Sequence, residues 1–325
     1  TFVEGSPIAQ FIKNDLRSRG MDYLGKEVPQ GGPWGYRHQF NIADSGYGLR
    51  GPRVHNDRAG EVGRTLNVED FDLEQIFGQD GVEILHLSGL IAALSHETGI
   101  FCLELARAAK KYGTRISFDL NYRASFWKGR EEELSAIFKE IAGLADILIG
   151  NEEDFQLSLG IQGPEAGGKG LASKIEGFKE MILRVKEEYP QVKLFATTLR
   201  EVKNANEHLW GAILYEGGQF YVAEPREIQV LDRIGGGDGF VGGLLYGVDV
   251  GVIAAALPYI EQTAGFNPSQ LSQVVAAVLF GSVLSSLFAG YLADKMGRKA
   301  LITVAAALFT ASIPVICLSQ EVFGI

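Results

Sequence analysis

Asp232-Arg233-Ile234-Gly235-Gly236-Gly237-Asp238-Gly239-Phe240 follows a strand-rich stretch and directly precedes a helix-forming segment. Glycines let a backbone approach an anion closely, and a helix N-terminus turns free amides toward it. A carboxylate in the same turn can take a proton from an attacking hydroxyl. Anion cradle, helix end and carboxylate together are the layout for phosphoryl transfer, although Gly-rich turns are also common plain loops and Asp238 also reads as a turn residue.

Working back from this turn, extended and helical patterns alternate. Ser6 and Pro7 read as the cap and first residue of a helix that Ile8, Phe11, Ile12 and Leu16 stripe before Gly20 ends it. Strands are expected near 36–41 and 53–56, at 83–87 ending on Ser88 and Gly89, at 115–120 and at 147–149. Further strands are expected near 194–198, 209–215 and 219–222. Helices are expected near 72–77, over 96–112, around the stripe Leu134, Ile137, Phe138 and Ile141, and from the Gly-rich 163–170 loop to Glu188. Such repeats argue for an α/β fold, a parallel-rich sheet with helices on both faces.

Beyond Gly239 the composition changes. Of 30 basic and 40 acidic residues, only Asp249, Glu261, Asp294, Glu321, Lys295, Arg298 and Lys299 lie at or after Phe240. Apolar stretches at about 240–260, 272–293 and 300–318 each approach the ~20 residues that cross a bilayer, so an all-α segment of three transmembrane helices is expected. Buried helices of a soluble core are the alternative. The basic loop 294–299 lies on the cytoplasmic side by the positive-inside rule, and the parity of crossings puts the front part there too. Multi-pass membrane localisation is therefore expected, or a cytoplasmic one if the tail is an artefact.

The formal net charge of −10 offers no basic face for nucleic acid. Cys102 and Cys317 lie far apart, which disfavours a disulfide framework and points to a reducing compartment. His38, His55, His86, His96 and His208 show no ligand spacing, so no His or Cys metal site is expected. The chain starts at Thr1 without a basic-then-apolar leader or an initiator Met, from which no secretory signal and a missing front end are expected.

The glycine turn resembles the second signature of the ribokinase-like (PfkB) carbohydrate kinases at all of its fixed positions. Three further segments agree. Asp119-Leu120-Asn121-Tyr122-Arg123, followed by Phe126-Trp127, is similar to the family segment of the branch that phosphorylates 2-dehydro-3-deoxygluconate. Asn151-Glu152-Glu153-Asp154 takes the place of an Asn-x-x-Glu motif, with a reach one methylene shorter, and Asn56-Asp57-Arg58-Ala59 resembles a segment that supplies an Arg to an acid sugar. The resemblance covers most of 1–247 and implies ATP and Mg2+ as cofactors and a small sugar acid as substrate. It makes Asp238 the general base and gives Gly235, Gly236 and Gly237 the anion hole. Asn151 and Asp154 then organise magnesium and phosphate, and Arg58, Asp119, Asn121 and Arg123 bind substrate. Plain alternatives stand beside these roles: Arg123 as a strand-end cap, Arg58 as a surface loop residue, and Asp119 as a structural ion-pair partner of Arg123.

The tail carries a second resemblance, to major facilitator sugar porters. Gly247-Val248-Asp249-Val250-Gly251-Val252-Ile253 is similar to their first transmembrane helix, and Gly290 to Lys299, with Asp294, Gly297 and Arg298, to the loop between their second and third. Asp249 is thereby implied as a coupling residue. The family's opening strand and nucleotide-closing end are not found, and Gly242-Gly243-Leu244-Leu245-Tyr246-Gly247 fits both families at once, like the joint of a fusion. The expected organisation is a kinase domain over 1–247 and a partial porter segment over 240–325. Three functional readings follow: a membrane-tethered sugar-acid kinase, a transport-family fragment, and an inactive chimeric product.

Overall fold

The computed structural model describes residues 1–51, 53–165, 170–231 and 234–248, with Phe280 and Lys295. The chain divides into two compact units, Thr1–Val241 and Gly242–Ile325. Of the second, residues 242–248 and the two isolated positions are described. Among the described residues no helix is long and apolar enough to cross a membrane. The expected spans lie outside the described residues, apart from 240–248 and Phe280.

In the first unit a short parallel pair, β1 (Phe2–Val3) and β2 (Glu27–Val28), flanks α1 (Pro7–Ser18). Ser6 caps α1 through the Ala9 amide, as its sequence predicts, yet Ile8 and Phe11 of the expected stripe remain exposed. An antiparallel hairpin follows, β3 (Phe40–Asp44) with β4 (Arg53–Asp57). Its first strand starts four residues later than the sequence indicated, because Arg37 is engaged elsewhere, in a parallel bridge to Glu61.

The main sheet has six strands in the order β10-β9-β8-β7-β6-β5. After β5 (Ile84–Ser88) come the short helix α2 (Gly89–Ala92), α3 (His96–Lys111), β6 (Arg115–Asp119), α4 (Ala124–Trp127), α5 (Glu131–Leu144) and β7 (Ile147–Ile149). Then follow α6 (Glu152–Leu159), α7 (Leu171–Glu188), β8 (Leu194–Val202), β9 (Glu207–Glu216) and β10 (Gln219–Gln229). β5 to β8 are parallel, but β8, β9 and β10 run antiparallel. The connections explain the change. A parallel crossover needs about a dozen residues or more, whereas β9 and β10 are joined by Gly217 and Gly218 alone, both at positive φ (58° and 85°), the conformation a tight hairpin requires.

Helices on both faces were expected, but strands added in sequence through right-handed crossovers place their helices on one side, and α3, α5, α6 and α7 contact one another in succession as one layer. Against them the sheet turns Leu87, Ile116, Phe118, Leu148, Phe195 and Leu199, all in the main apolar cluster. By strand alternation Ser88, Asp119, Ile149 and Thr198 point to the opposite face. The residues of chemical interest therefore project away from the aromatic core. An aromatic chain ties the two together: Phe118 meets Phe138 edge-on at 5.4 Å, Phe138 meets Trp127 at 4.9 Å, and Trp127 meets Tyr122 at 5.0 Å.

Candidate active site

The carboxyl ends of β5 to β8 open into a cleft of about 640 Å³, the place where open α/β sheets bind ligands. Arg58, Asp119, Asn121, Arg123, Asn151, Asp154, Gly235, Gly236, Gly237 and Asp238 all line it. Asp249, Gly290, Asp294, Gly297 and Arg298 lie outside the described residues.

The 119–123 segment is held in an unusual shape. Asn121 has φ 39°, a left-handed conformation rare outside glycine and tolerated best by Asn and Asp. Its amide donates to Asp119 Oδ1 (3.2 Å) and its Nδ2 to Ser88 Oγ (3.2 Å), so the turn is fixed to the neighbouring strand. Tyr122 N–H donates to Asp154 Oδ1 at 2.8 Å. Asp154 and Asn151 also form a capping box, in which each backbone amide donates to the other's side chain at 2.8 Å. Asn-x-x-Asp is a helix-start signature in its own right. That signal was present in the sequence and explains why the shorter Asp serves here.

Burial, with Asp154 and then Asp238 adding negative potential, pushes the Asp119 carboxyl up to about 7, against opposing effects from the Asn121 amide and Arg123. Burial likewise raises Asp154 to about 6, although the Asn151 and Tyr122 amides oppose it. A carboxyl raised on folding holds its proton more tightly in the folded chain. Its contribution is therefore complete below the ordinary value of 3.8 and is lost as pH climbs toward about 7. Without Mg2+, the melting temperature should fall between pH 5 and pH 8, and Asp119→Asn should flatten that fall and stabilise the chain at pH 8. Parallel melting curves for the two proteins would remove Asp119 as the cause.

The two arginines differ. Arg123 is exposed, and its Nη1 donates to the Tyr122 carbonyl at 2.7 Å; no Asp119–Arg123 ion pair is formed, which corrects the structural alternative for Asp119. Arg58 is not a surface loop residue either. Its side chain is 16% exposed, its Nη1 donates to both Glu61 oxygens at 2.8 Å, and its guanidinium lies 5.2 Å over the Phe126 ring.

In the glycine turn, residues 236–248 are helical. The first intrahelical bond runs from Gly239 N–H to Gly235 C=O (2.8 Å), so the amides of 236–238 precede it and lack helical partners. Gly235 has φ 77°, and open space surrounds Gly235 and Gly237 where a Cβ would stand. At Gly236 a Cβ would meet the Trp210 ring at 3.3 Å. Asp238 is exposed in the first helical turn. Gly235→Ala should introduce about 1–2 kcal/mol of left-handed strain, seen as a loss of that size in the unfolding free energy measured in urea. Gly239→Ala, helical and unobstructed, is the control expected to stay near wild type.

Sequence reasoning missed Trp210, Thr198 and Arg200, which form one wall. Alternation along β8 could have found two of them: Thr198 and Arg200 alternate with the buried Thr197 and Leu199, and Arg200 pairs across the sheet with Trp210. Glu61, the partner of Arg58, was missed as well.

Residues 239–325 match the Major Facilitator Superfamily model, overlapping a second match that ends at residue 252. The arabinose-proton symporter of Bacillus subtilis is 35% identical over 82 residues, 25% of this chain and 18% of that protein. A 5-dehydro-2-deoxygluconokinase of Clostridium beijerinckii is 29% identical over 197 residues, 59% of this chain and 50% of that protein; the Clostridium tetani enzyme is 28% identical and covered to 39%. The chain thus spans half or less of the length of these curated relatives. The crystal structure of 2-dehydro-3-deoxygluconokinase from Thermotoga maritima superposes with a TM-score of 0.67 at 30% identity, covering 77% of this chain and 72% of that one. A PfkB family carbohydrate kinase from Listeria grayi superposes with a TM-score of 0.61 at 25% identity, covering 83% and 74%. The fold is ribokinase-like α/β, and with residues 68–252, more than half its length, matching the family model, the chain belongs to the pfkB family of carbohydrate kinases.

Proposed function

We propose that the chain is an ATP-dependent kinase for a sugar acid, with 2-dehydro-3-deoxygluconate as the substrate. The observation that carries this reading is the convergence of four separate sequence segments on one cleft, where a helix N-terminus carries both a glycine turn and Asp238. Three of the kinases reported above are named for deoxygluconates, which bear one carboxylate, and Arg58 and Arg123 both line the cleft. A planar guanidinium suits that group.

The cofactors fit the residues present. The amides of 236–238 have no helical partners, and the space around Gly235 and Gly237 is open, which suits phosphate oxygens. Among the described residues no three of His, Cys, Asp and Glu converge to hold a metal ion. Mg2+ characteristically uses one or two carboxylates with water and substrate phosphates, and Asp119 and Asp154 supply such oxygens. When bound, Mg2+-ATP supplies the transferable phosphoryl group. Asp238 takes the proton of the attacking sugar hydroxyl. The amides of Gly236, Gly237 and Asp238 offer hydrogen bonds to charge developing on the phosphoryl oxygens, the contribution expected to dominate in this chemistry. Arg58 and Arg123 orient the sugar, and Asn121, locked to Ser88, fixes the floor.

A coupled assay with ATP, Mg2+ and either 2-dehydro-3-deoxygluconate or 5-dehydro-2-deoxygluconate tests the reading. Turnover is expected with the first in preference to the second; a folded preparation inert toward both would end it.

The porter-like match of residues 239–325 favours an additional reading, in which the tail spans a bilayer three times with the kinase unit on the cytoplasmic side and Asp249 inside the first span. The chain is then expected in the membrane fraction after alkaline carbonate extraction. Release into the supernatant would exclude three spans.

A further inference from the structure

The Arg58 guanidinium is only partly used by the protein. Nη1 is held by both oxygens of Glu61, and Cζ stands over Phe126. Nε is fully buried and has no hydrogen-bond partner among the described residues. An unpaired donor in a buried position is costly, and Arg58 and Phe126 both line the cleft.

Glu61 is itself fixed. It is 7% exposed, its amide donates to the Arg58 carbonyl at 3.1 Å, and it forms the parallel bridge with Arg37. Arg37 N–H donates to the Gly60 carbonyl at 2.8 Å and Arg37 Nε to that of Ala59 at 2.7 Å, which braces the turn from the other side. The Arg58 head group is therefore set by a rigid turn and does not search for its partner.

We propose that Glu61 is a positioning residue that sets specificity for an anionic substrate, by gripping one side of Arg58 and leaving its Nε side for the carboxylate of the sugar acid. This rests on the sugar-acid reading above. The pair also gives discrimination a physical origin: a neutral sugar lacks the ionised acceptor that best satisfies the remaining donor. Glu61 touches neither the reacting hydroxyl nor the phosphate in this scheme, so the chemical step should be insensitive to it.

The test is equilibrium binding of 2-dehydro-3-deoxygluconate and of its neutral methyl ester to the full chain by titration calorimetry, with kcat measured at saturation. Wild type should bind the acid about tenfold or more tightly than the ester, as expected for a charge-assisted pair. Glu61→Ala, and Glu61→Asp with its shorter reach, should weaken acid binding about tenfold and about fivefold, with ester binding and kcat within twofold of wild type. Glu61→Gln keeps an acceptor oxygen for Nη1 and should remain within about threefold of wild type for the acid. Equal weakening of acid and ester, no weakening of the acid, or a Gln variant as weak as Ala would overturn the role of Glu61. Should Glu61→Ala fail to fold, the Asp and Gln variants decide the matter alone. A wild type that does not distinguish acid from ester would defeat the sugar-acid reading itself. Discrimination lost in Arg58→Ala but kept in every Glu61 variant would defeat the Glu61 assignment alone.

Discussion

Asp238→Asn is expected to lower kcat by about 10²- to 10⁴-fold, the usual share of a positioned general base, with little change in sugar or nucleotide binding. Asn preserves the size of the side chain and can still accept a hydrogen bond from the sugar hydroxyl, but it does not take up the proton. Asp238 is exposed in the first turn of the helix at 236–248, so its replacement should alter stability by no more than about 0.5 kcal/mol. Loss of activity with an unchanged melting curve separates chemistry from folding. An Asn variant that retains a tenth or more of wild-type kcat would remove Asp238 from the role of base.

The largest effect on stability is expected at Phe138. Its side chain is fully buried, meets Phe118 and Trp127 edge-on, and stands where α5 packs on the sheet. Phe138→Ala should cost about 3–5 kcal/mol through lost burial and the cavity left behind, a large share of the ~5–15 kcal/mol that holds an ordinary domain folded. Urea unfolding followed by tryptophan fluorescence measures it directly, because Trp127 lies 4.9 Å from the deleted ring. Activity should fall with it, since Trp127 in turn supports Tyr122 beside Asp154. A shift below about 1 kcal/mol would mean that the cavity collapses and the aromatic chain is not what holds the segment.

Much of the site was legible because its chemistry is carried by short contiguous strings. The glycine turn with Asp238, the 119–123 segment and the 151–154 segment each combine a local conformational demand with a functional group, so their residue order alone identifies them. The strand–helix alternation was legible from apolar periodicity for the same reason. The direction of β9 and β10 was readable from the Gly217-Gly218 pair, a hairpin signal that a parallel assignment overrides. Long-range partnerships were not readable. Arg37, about twenty residues earlier, pins the turn that brings Arg58 onto Glu61, and Trp210 stands beside Gly236 through the register of β9 on β8. Nothing in the local pattern of either residue names its partner.

Asp154 receives the Tyr122 amide on one oxygen and the Asn151 amide on the other, while facing the cleft. The start of α6 and the floor of the site are thereby written into a single side chain. In a mutational screen such a position has no separable phenotypes: a variant that loosens the helix also moves the cleft, and selection for a sturdier protein and for a new substrate would act on the same atoms. New specificities in this scaffold would then arise more readily at walls such as Thr198, Arg200 and Trp210, whose side chains can change without undoing a helix start.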